Sequence, residues 1–414
     1  MARLRRLILN FASMDPLQVG GAARLAQCLA RHLSATAPPG AECLAVLGHR
    51  TWAESFPLEG PFRQLDGTGL SKPALGWAVE QAFGAPAPGR RLAVLAGRLA
   101  RRAHRFPDAW SRDTVVHVPT QTIHPLPPRH WNLPYAMNLA DIQHEHFPQF
   151  FSPKDLRKRR ARFLASAQAA AAVFVADAWT KRDILAHLPL DPDRVHAVPL
   201  APTWDPSEVP GEAAARALVA AEGLPARFAF YPAQTWAHKN HARLFEALAL
   251  LRSRGREVPL LCTGQTNEHF PALEAKLREL GLESQVRFLG LVPETLVKAL
   301  YRACALVVVP TLFEGGPGIP VLEALALGRP LAASTVCGIP EAVGDAGLLF
   351  DPLDPAAMAA AVEKLWTDPA FAEELGARGA ARMAPRSWER TARAYHAVYE
   401  SVLERAGGGS EPMG

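Results

Sequence analysis

Cysteine and long apolar runs are both scarce in this chain of 414 residues. The five cysteines are widely spaced and never form Cys-x-x-Cys, which favours a reducing compartment and argues against disulfides and a zinc site. Nowhere do about 18 uncharged apolar residues follow one another, so no membrane-spanning helix is predicted. The Gly-x-Gly-x-x-Gly motif of dinucleotide enzymes is missing, which argues against a dehydrogenase. We therefore expect a cytoplasmic protein without a cofactor or a bound metal.

The two halves of the chain differ in charge. Residues 1–200 hold 25 basic and 15 acidic side chains, whereas residues 201–414 hold 20 and 25. This excess is too small, and too poorly interleaved with aromatic residues, to indicate nucleic-acid binding. Basic clusters at 90–102 and 157–162 are interpreted as solvated helix faces. The alternative is contact with anionic lipid or a phosphate-bearing acceptor, which would place the protein at the inner face of a membrane.

Short apolar runs alternate with helical patterns along the whole chain, five runs in the first half and six in the second. Runs such as Leu306–Val309, apolar without alternation, are typical of parallel strands buried on both faces. The two series predict two doubly wound, Rossmann-like α/β domains. We place the first domain at 1–198, a proline-rich linker at 199–225 and the second domain at 226–385.

An amphipathic helix is predicted at 386–407, followed by a disordered tail at 408–414. Its apolar residues share one face, which predicts that it packs on another part of the protein: Trp388, Ala392, Tyr395, Val398, Tyr399 and Val402.

The segment 310–328 carries the strongest functional signal. Between a buried strand and a helix that starts near Ile319, it contains three glycines: Gly315, Gly316 and Gly318. Glycines let a ligand approach the backbone, and the free N–H groups of a helix start favour an anion. Glu314 and Glu323 bracket this loop, where carboxylates make sense if they accept hydrogen bonds from the hydroxyls of a sugar nucleotide. The alternative is an ordinary turn whose glutamate is stabilised by the helix dipole.

A second candidate loop precedes the helix that begins near Ala242. Lys239 lies beyond the carboxyl end of a predicted parallel strand, where a ligand crevice is expected. A diphosphate leaving group needs a positive charge there, and without metal ligands a lysine must supply it. Asn240 is predicted to cap the following helix. The alternative is a surface lysine in a capped loop.

From residue 228 to about 368 the sequence resembles the retaining glycosyltransferases of family 4, which have the GT-B fold. The resemblance rests on the two loops above and on five shorter motifs: Thr263-Gly264 and the segments 288–292, 320–324, 338–341 and 344–352. It implies two Rossmann-like domains that face a cleft, with a C-terminal helix that crosses back to the first domain.

The resemblance also implies roles for particular residues. Glu314 and the backbone of residues 316–319 would hold the donor sugar, Glu323 the ribose and Lys239 the diphosphate. Four residues would line the base pocket: Thr263, Gly264, Leu291 and Val292.

Two features depart from the family pattern. The family usually has seven residues between its two glutamates, whereas this chain has eight, so the turn must bulge before the helix. The family's diphosphate loop usually carries an arginine a few residues before the lysine, whereas this loop has Gln234, Thr235 and Trp236, of which Gln234 is a candidate donor-binding residue. Stabilisation of the leaving group would therefore rest more on Lys239 and on the helix that starts near Ile319.

The first half resembles the family less closely. Gly20 and Gly21 follow the first predicted strand, and the resemblance implies that their backbone reaches the phosphates or the acceptor, with a plain tight turn as the alternative. In the family a histidine, often followed by aspartate, points at the reacting sugar. Here an alanine takes the place of that histidine and Asp141 that of the aspartate, so His144 or His146 is the candidate substitute unless it is structural.

The resulting prediction is a retaining hexosyltransferase, for mannose or glucose, that uses a UDP- or GDP-sugar without a metal. Its acceptor would be a glycan, a lipid-linked saccharide or a small molecule in cell-envelope or exopolysaccharide synthesis. Two alternatives stay open: a sugar-nucleotide epimerase of the same architecture, and a non-catalytic basic surface-binding protein whose donor pocket has decayed. The sequence does not indicate an oligomeric state.

Overall fold

The computed structural model describes residues 4–11, 21–46, 62–65, 112–123 and 133–408. Within these ranges, the first half of the chain forms a seven-stranded parallel sheet in the order β3-β2-β1-β4-β5-β6-β7. Its strands are β1 Arg6–Asn10, β2 Glu42–Val46, β3 Phe62–Leu65, β4 Thr114–Val118, β5 Tyr135–Asn138, β6 Ala172–Val175 and β7 Val195–Ala197. Strands β3 and β7 are not among the predicted runs, because each is short and contains polar residues.

The second half forms a six-stranded parallel sheet in the order β10-β9-β8-β11-β12-β13. Its strands are β8 Ala229–Pro232, β9 Leu260–Thr263, β10 Val286–Phe288, β11 Leu306–Val309, β12 Leu331–Ser334 and β13 Leu348–Phe350. All four residues of β11 are buried, as expected for a strand covered on both faces. The prediction of two doubly wound domains is confirmed.

Helices cover the faces of both sheets. Those of the first half are α1 Gly21–Ala35, α2 Gln143–His146, α3 Pro153–Ala169 and α4 Ala178–His187. Those that follow are α5 Glu212–Ala221, α6 His241–Ser253, α7 Phe270–Leu280, α8 Glu294–Ala303, α9 Ile319–Ala326, α10 Ile339–Val343, α11 Pro355–Thr367, α12 Pro369–Met383 and α13 Trp388–Gly408. None of the helices in the described ranges is both long and apolar enough to cross a bilayer.

Helix α13 returns from the second half to the first. The predicted apolar face is the one that packs: five of its residues are buried in a core shared with β1, β4 and α1, namely Trp388, Ala392, Tyr395, Tyr399 and Val402. The Tyr395 ring stacks on Phe174 of β6 with a centroid separation of 3.9 Å, and its hydroxyl accepts a hydrogen bond from Asn138. The residues of the predicted tail from 409 onwards lie outside the described ranges.

The segment 199–225, which its prolines predict to be a linker, is largely part of the second domain. It contains α5, and its residues Trp204, Val209, Ala215 and Val219 are buried in the core of the second sheet. Proline does not prevent this because α5 lies between Pro210 and Pro225, where the chain is free of proline.

Candidate functional site

The strand order reverses between β8 and β11 in the second sheet, and between β1 and β4 in the first. In open parallel sheets, the loops beyond the carboxyl ends of two such strands diverge and leave a crevice in which ligands bind. The loop after β8 carries Lys239 and the loop after β11 carries Glu314. The two side chains that the sequence selects therefore flank the switch point of the second domain.

Lys239 and Glu314 form a direct ion pair. The Lys239 Nζ lies 2.5 Å from Oε1 of Glu314, and the two side chains are only 18% and 11% exposed. Partial burial strengthens such a pair because little water screens it. The site thus concentrates one positive and one negative charge at the ends of two adjacent strands.

Hydrogen bonds tie the two loops together. The backbone N–H of Leu312 donates to the carbonyl of His238, at 2.7 Å. Asn240, predicted to cap α6, makes no such cap. Its amide instead donates to the carbonyls of Pro310 and Pro352, at 2.9 and 2.8 Å, and its backbone is left-handed with φ of 61°. Asn240 therefore positions Lys239 by anchoring its loop to the end of β11.

The glycine turn after Glu314 places two residues in the left-handed region. Gly316 and Gly318 have φ of 86° and 78°, which a side chain would make costly. Helix α9 begins at Ile319, directly after this turn, with Pro320 in its first turn. Of the eight residues between the two glutamates, Gly315–Gly318 form the turn and 319–322 begin α9.

The residues predicted to line a base pocket lie on the neighbouring strand ends. The backbone of Gly264 passes so close to that of Ala233 and Gln234 that a Cβ at Gly264 would lie 2.8 Å from both. Thr263 is buried at the end of β9, whereas Leu291 is 57% exposed and Val292 is half-buried beyond β10. The Gly264 N–H donates to the carbonyl of Gly290, at 2.9 Å, which joins the β9 and β10 loops.

The first domain contacts the glycine turn directly. A Cβ at Gly315 would lie 3.0 Å from Oδ2 of Asp141, and one at Gly21 would lie 2.5 Å from the Ile319 side chain. Asp141 is oriented by the backbone N–H of Gln143, at 3.0 Å, and by the Gln121 amide, at 3.1 Å. The structure thus brings Asp141 and Gly21 to the glycine turn and the start of α9; Gly20 lies outside the described residues.

His144 is not at this contact. Its ring is 2% exposed and packs at 4.9 Å, edge to face, on Phe163 inside the first domain, where burial lowers its pKa. The prediction that His144 faces the reacting sugar does not fit this position. Instead His146, two residues on, lies against Phe313 with a ring separation of 5.1 Å. Because α2 is helical, residues two apart point in different directions.

Glu323 lies apart from the ion pair, buried on the inner side of α9. Its Oε1 accepts hydrogen bonds from Thr203, at 2.5 Å, and from Arg24 of α1, at 3.2 Å. Burial raises the pKa of Glu323, and the nearby Arg24 guanidinium opposes that shift. In this arrangement Glu323 joins the second domain to the first, a role that its spacing from Glu314 does not reveal.

Two further residues at the site are missed by sequence reasoning. Asp177 caps α4 through Oδ1, and its other oxygen, buried without a hydrogen bond, lies where a Cβ of Gly338 would be only 1.7 Å away. Cys337 has φ of 53° and its sulfur accepts the backbone N–H of Glu314, at 3.4 Å. Asp177 could have been found because it lies two residues after the end of β6, at the same sheet edge as Asp141.

A cavity of about 1030 Å³ lies between α1 and the two segments that connect the domains, near residues 201–208 and 380–389. None of the predicted donor residues lines it. Its walls include Arg24, Thr203, Glu294, Arg386 and Trp388. We place the candidate site at the switch point and not in this cavity, because the charged pair and the positive-φ glycines occur there. The cavity reaches the same interdomain contact from the side of Arg24.

Of the two basic clusters, 157–162 lies on α3, and 90–102 lies outside the described residues. Arg157, Lys158 and Arg162 are exposed, whereas Arg160 pairs with Glu145 at 2.7 Å. The surface of α3 is therefore basic and open to solvent.

Two doubly wound parallel domains, with a C-terminal helix packed back on the first, define the GT-B architecture. The structure is similar to that of sucrose-phosphate synthase from Thermosynechococcus elongatus, with a TM-score of 0.72 and 19% identity over 97% of this chain and 100% of that one. The structure of Anabaena HepE in complex with UDP and glucose is similar with a TM-score of 0.72 and 18% identity, over 96% of this chain and 100% of that one. At these identities the likeness establishes the fold alone.

Residues 227–368 match the family described as glycosyl transferases group 1. O-antigen chain mannosyltransferase B from Escherichia coli is 35% identical over 163 residues, which make up 39% of this chain and 42% of that protein. The match therefore spans about two fifths of that relative. The match to the family lies within the second domain and confirms the resemblance to glycosyl transferases group 1 for that part of the chain.

Proposed function

We propose that this protein is a retaining glycosyltransferase that moves a hexose from a UDP- or GDP-sugar to an acceptor hydroxyl. The observation that carries the proposal is the Lys239–Glu314 ion pair at the switch point of a group 1 domain. A sugar nucleotide presents a diphosphate, which attracts the Lys239 ammonium. It also presents hydroxyls, which can donate hydrogen bonds to the Glu314 carboxylate. Lys239 would face the diphosphate and Glu314 the sugar, on the two sides of the bond that breaks.

The assignment of roles follows from the chemistry of transfer. The bond between the anomeric carbon and the diphosphate oxygen breaks, and its electron pair leaves with the nucleoside diphosphate. The acceptor oxygen bonds to the same face of the anomeric carbon, and its proton passes to an oxygen of the departing phosphate. Lys239 and the N–H groups at the start of α9 stabilise the charge that develops on that phosphate.

Glu314 and the backbone of Gly316 and Gly318 hold the donor sugar in this proposal. A bound diphosphate competes with Glu314 for the Lys239 ammonium, which leaves the carboxylate able to accept hydrogen bonds from sugar hydroxyls. Asp141, a first-domain carboxylate beside Gly315, stands on the acceptor side in this proposal. No bound metal is assigned a part in the transfer.

The substrate class is a proposal at family level. The name of the Escherichia coli relative supports a mannosyl donor and an acceptor in cell-envelope glycan synthesis, and the HepE complex supports UDP-glucose chemistry as the alternative. We propose that transfer takes place in the cytoplasm, with the basic face of α3 available to an anionic membrane or a phosphate-bearing acceptor.

A donor panel followed by product analysis tests the proposal. UDP- and GDP-hexoses are screened by thermal shift, and the stabilising donor is incubated with lipid-linked and soluble saccharides. Mass spectrometry then measures a hexose added to the acceptor, and NMR of the product reads the anomeric configuration. No stabilisation by any sugar nucleotide would support the non-catalytic alternative, and conversion of donor without acceptor would support an epimerase.

Lys239→Ala is expected to lower turnover by about 10²–10³-fold, because one preorganised charge is lost from the leaving-group site. Glu314→Ala should have an effect of similar size. Lys276→Ala is the matched control, since Lys276 pairs only with Glu246 and Glu279 in the described structure, on the surface of α7. Near-normal turnover of Lys239→Ala with donor bound would contradict the assigned role.

A further inference from the structure

Three metal-ligating side chains meet beside the glycine turn, outside the residues assigned to sugar transfer. They are His146 at the end of α2, and Asp183 and His187 on the last two turns of α4. One ligand atom from each residue lies within 4.8 Å of the other two, and no other such group occurs among the described residues. We propose that these three residues bind a divalent transition-metal ion, with Zn²⁺ the best match to the ligand set.

The carboxylate of Asp183 lies at the centre of the group. Its Oδ1 and Oδ2 are 2.8 and 3.0 Å from Nε2 of His146, and Oδ1 is 3.4 Å from Nδ1 of His187. Ligand atoms around tetrahedral zinc are about 3.3 Å apart, given bonds of about 2.0–2.1 Å. A metal could therefore replace the His146–Asp183 hydrogen bond by a shift of a few tenths of an ångström.

The ligand types fit zinc better than calcium or magnesium. Two imidazoles and one carboxylate form a mixed nitrogen and oxygen set, whereas the harder cations prefer oxygen alone. Three protein ligands leave a coordination position for water, and His146 and His187 are 29% and 39% exposed on their side chains, so solvent can reach the ion.

The surroundings also suit a metal site. The Nδ1 of His187 also lies 2.8 Å from the backbone carbonyl of Asp183, a hydrogen bond that the ring gives up when Nδ1 binds the ion. The rings of Phe313 and Trp179 cover His146, at 5.1 and 6.3 Å, and shield one side of the group from water. The aromatic cover and the carboxylate shared by two imidazoles distinguish the group from an ordinary solvated pair of surface charges.

A bound ion would have a structural consequence at the candidate site. It would cross-link α2 to α4 and add a net positive charge, after the Asp183 carboxylate is counted, beside Phe313. Phe313 is the residue before Glu314 and comes from the second domain. The ion would thus stiffen the first-domain surface on which the sugar-binding turn rests. This inference concerns metal binding and does not depend on the proposed transfer activity.

Metal titration of the full-length chain tests the inference. The protein is stripped with a chelator and titrated with Co²⁺, whose visible absorption reports coordination by nitrogen and oxygen ligands, and Zn²⁺ is then added in competition. We expect one Co²⁺ bound per chain, displaced by Zn²⁺, and a Tm that rises with Zn²⁺ concentration. Absence of saturable binding would overturn the inference.

His187→Gln and Asp183→Asn should each weaken binding by at least about tenfold, because even outer partners of metal ligands have effects of that size. His32→Gln is the matched control: its Nδ1 makes the same bond to the carbonyl four residues earlier, at 2.8 Å, but it belongs to no ligand group in the described structure. Circular dichroism checks that each variant folds. Equal affinity in the wild type and in both ligand variants would place the bound ion elsewhere and overturn the inference.

Discussion

The two domains have the same strand order but differ in how their sheets are covered. The second domain has one continuous core, closed on both faces by helices of residues 212–383. The described part of the first domain has two cores, one on each face of its sheet. One of them is completed by α13, from the far end of the chain. The second domain is thus self-contained, whereas the first depends on α13, which follows the second domain in the chain. The hydrogen bond between Asn138 and Tyr395, for example, joins residues 257 positions apart.

Deletion of residues 387–414 should separate the stabilities of the two domains most strongly. It removes apolar side chains worth about 1.5–3 kcal/mol each, together on the order of 10 kcal/mol, which is comparable to the whole stability of a domain. We expect the first domain to lose cooperative unfolding while the second keeps its own transition, as followed by circular dichroism in urea. Loss of both transitions, or of neither, would contradict the proposed independence of the second domain.

A single substitution in α13 should destabilise the first domain without removing the helix. Tyr395→Ala should destabilise the first domain by about 3–5 kcal/mol, because a fully buried ring and its hydrogen bond to Asn138 are lost. Phe245→Ala, buried only in the second core, is the control and should shift the other transition.

Arg24→Met probes the charge that joins the two domains. Glu323 would be left buried without a cation, at a cost of about 3–5 kcal/mol near pH 7.5. Burial raises the pKa of Glu323 in the folded state, so the unfolded chain ionises first and stability falls as the pH rises above about 4.3. Urea midpoints should therefore show a smaller loss at pH 5.5 than at pH 7.5. Arg31→Met, an exposed position on the same helix, is the control, and a loss that is independent of pH would contradict the role of Glu323.

Gly338→Ala tests how closely the domains approach. Its Cβ would overlap the Asp177 carboxylate, and we expect a loss of about 1–3 kcal/mol from overpacking. Asp177→Ser shortens the side chain but still caps α4, because serine is as good a cap as aspartate. The alanine should therefore cost less in the Asp177→Ser background, as measured by a double-mutant cycle. Equal costs in both backgrounds would show that the two positions do not meet.

Buried histidines give both domains the same sensitivity to acid. Burial lowers the pKa of His117 and that of His241 to about 3. Below about pH 6.5 the unfolded chain binds protons that the folded chain does not, so stability falls with acidification by about 1.4 kcal/mol per pH unit for each histidine. His117→Phe and His241→Phe should each reduce that slope by this amount in urea titrations between pH 6.5 and 5. If the slope of stability against pH were unchanged in one variant, the two domains would not share this sensitivity to acid.

Sequence patterns predicted the second domain better than the first because its signals are local. The turn from Glu314 to Ile319 is dictated by adjacent glycines and a proline, so a single segment determines both its backbone and its position beyond β11. The charged residue opposite, Lys239, follows from the same rule applied to β8. Its pairing with Glu314 requires only that the two strands be neighbours in the sheet.

The contacts that sequence patterns do not reveal depend on packing between distant segments. Nothing in the neighbourhood of His144 shows that Phe163 covers it, and Asn240 looks like a helix cap until Pro310 and Pro352 are brought to its amide. Glu323 has the spacing of a ligand-binding residue, but its partner Arg24 lies 299 residues away. Such contacts follow from tertiary packing within and between the domains, which apolar periodicity does not encode.

The place of α13 in the chain sets an order of events during synthesis. Ribosomes deliver the first domain early, yet the helix that covers one face of its sheet emerges only after the whole second domain. Domains usually fold in the order of their synthesis, but here we expect the earlier-made domain to be completed after the later one. Nascent chains stalled at residue 414, with α13 still inside the ribosome, should therefore be cut by protease in the first domain and protected in the second. Early protection of the first domain would refute that order.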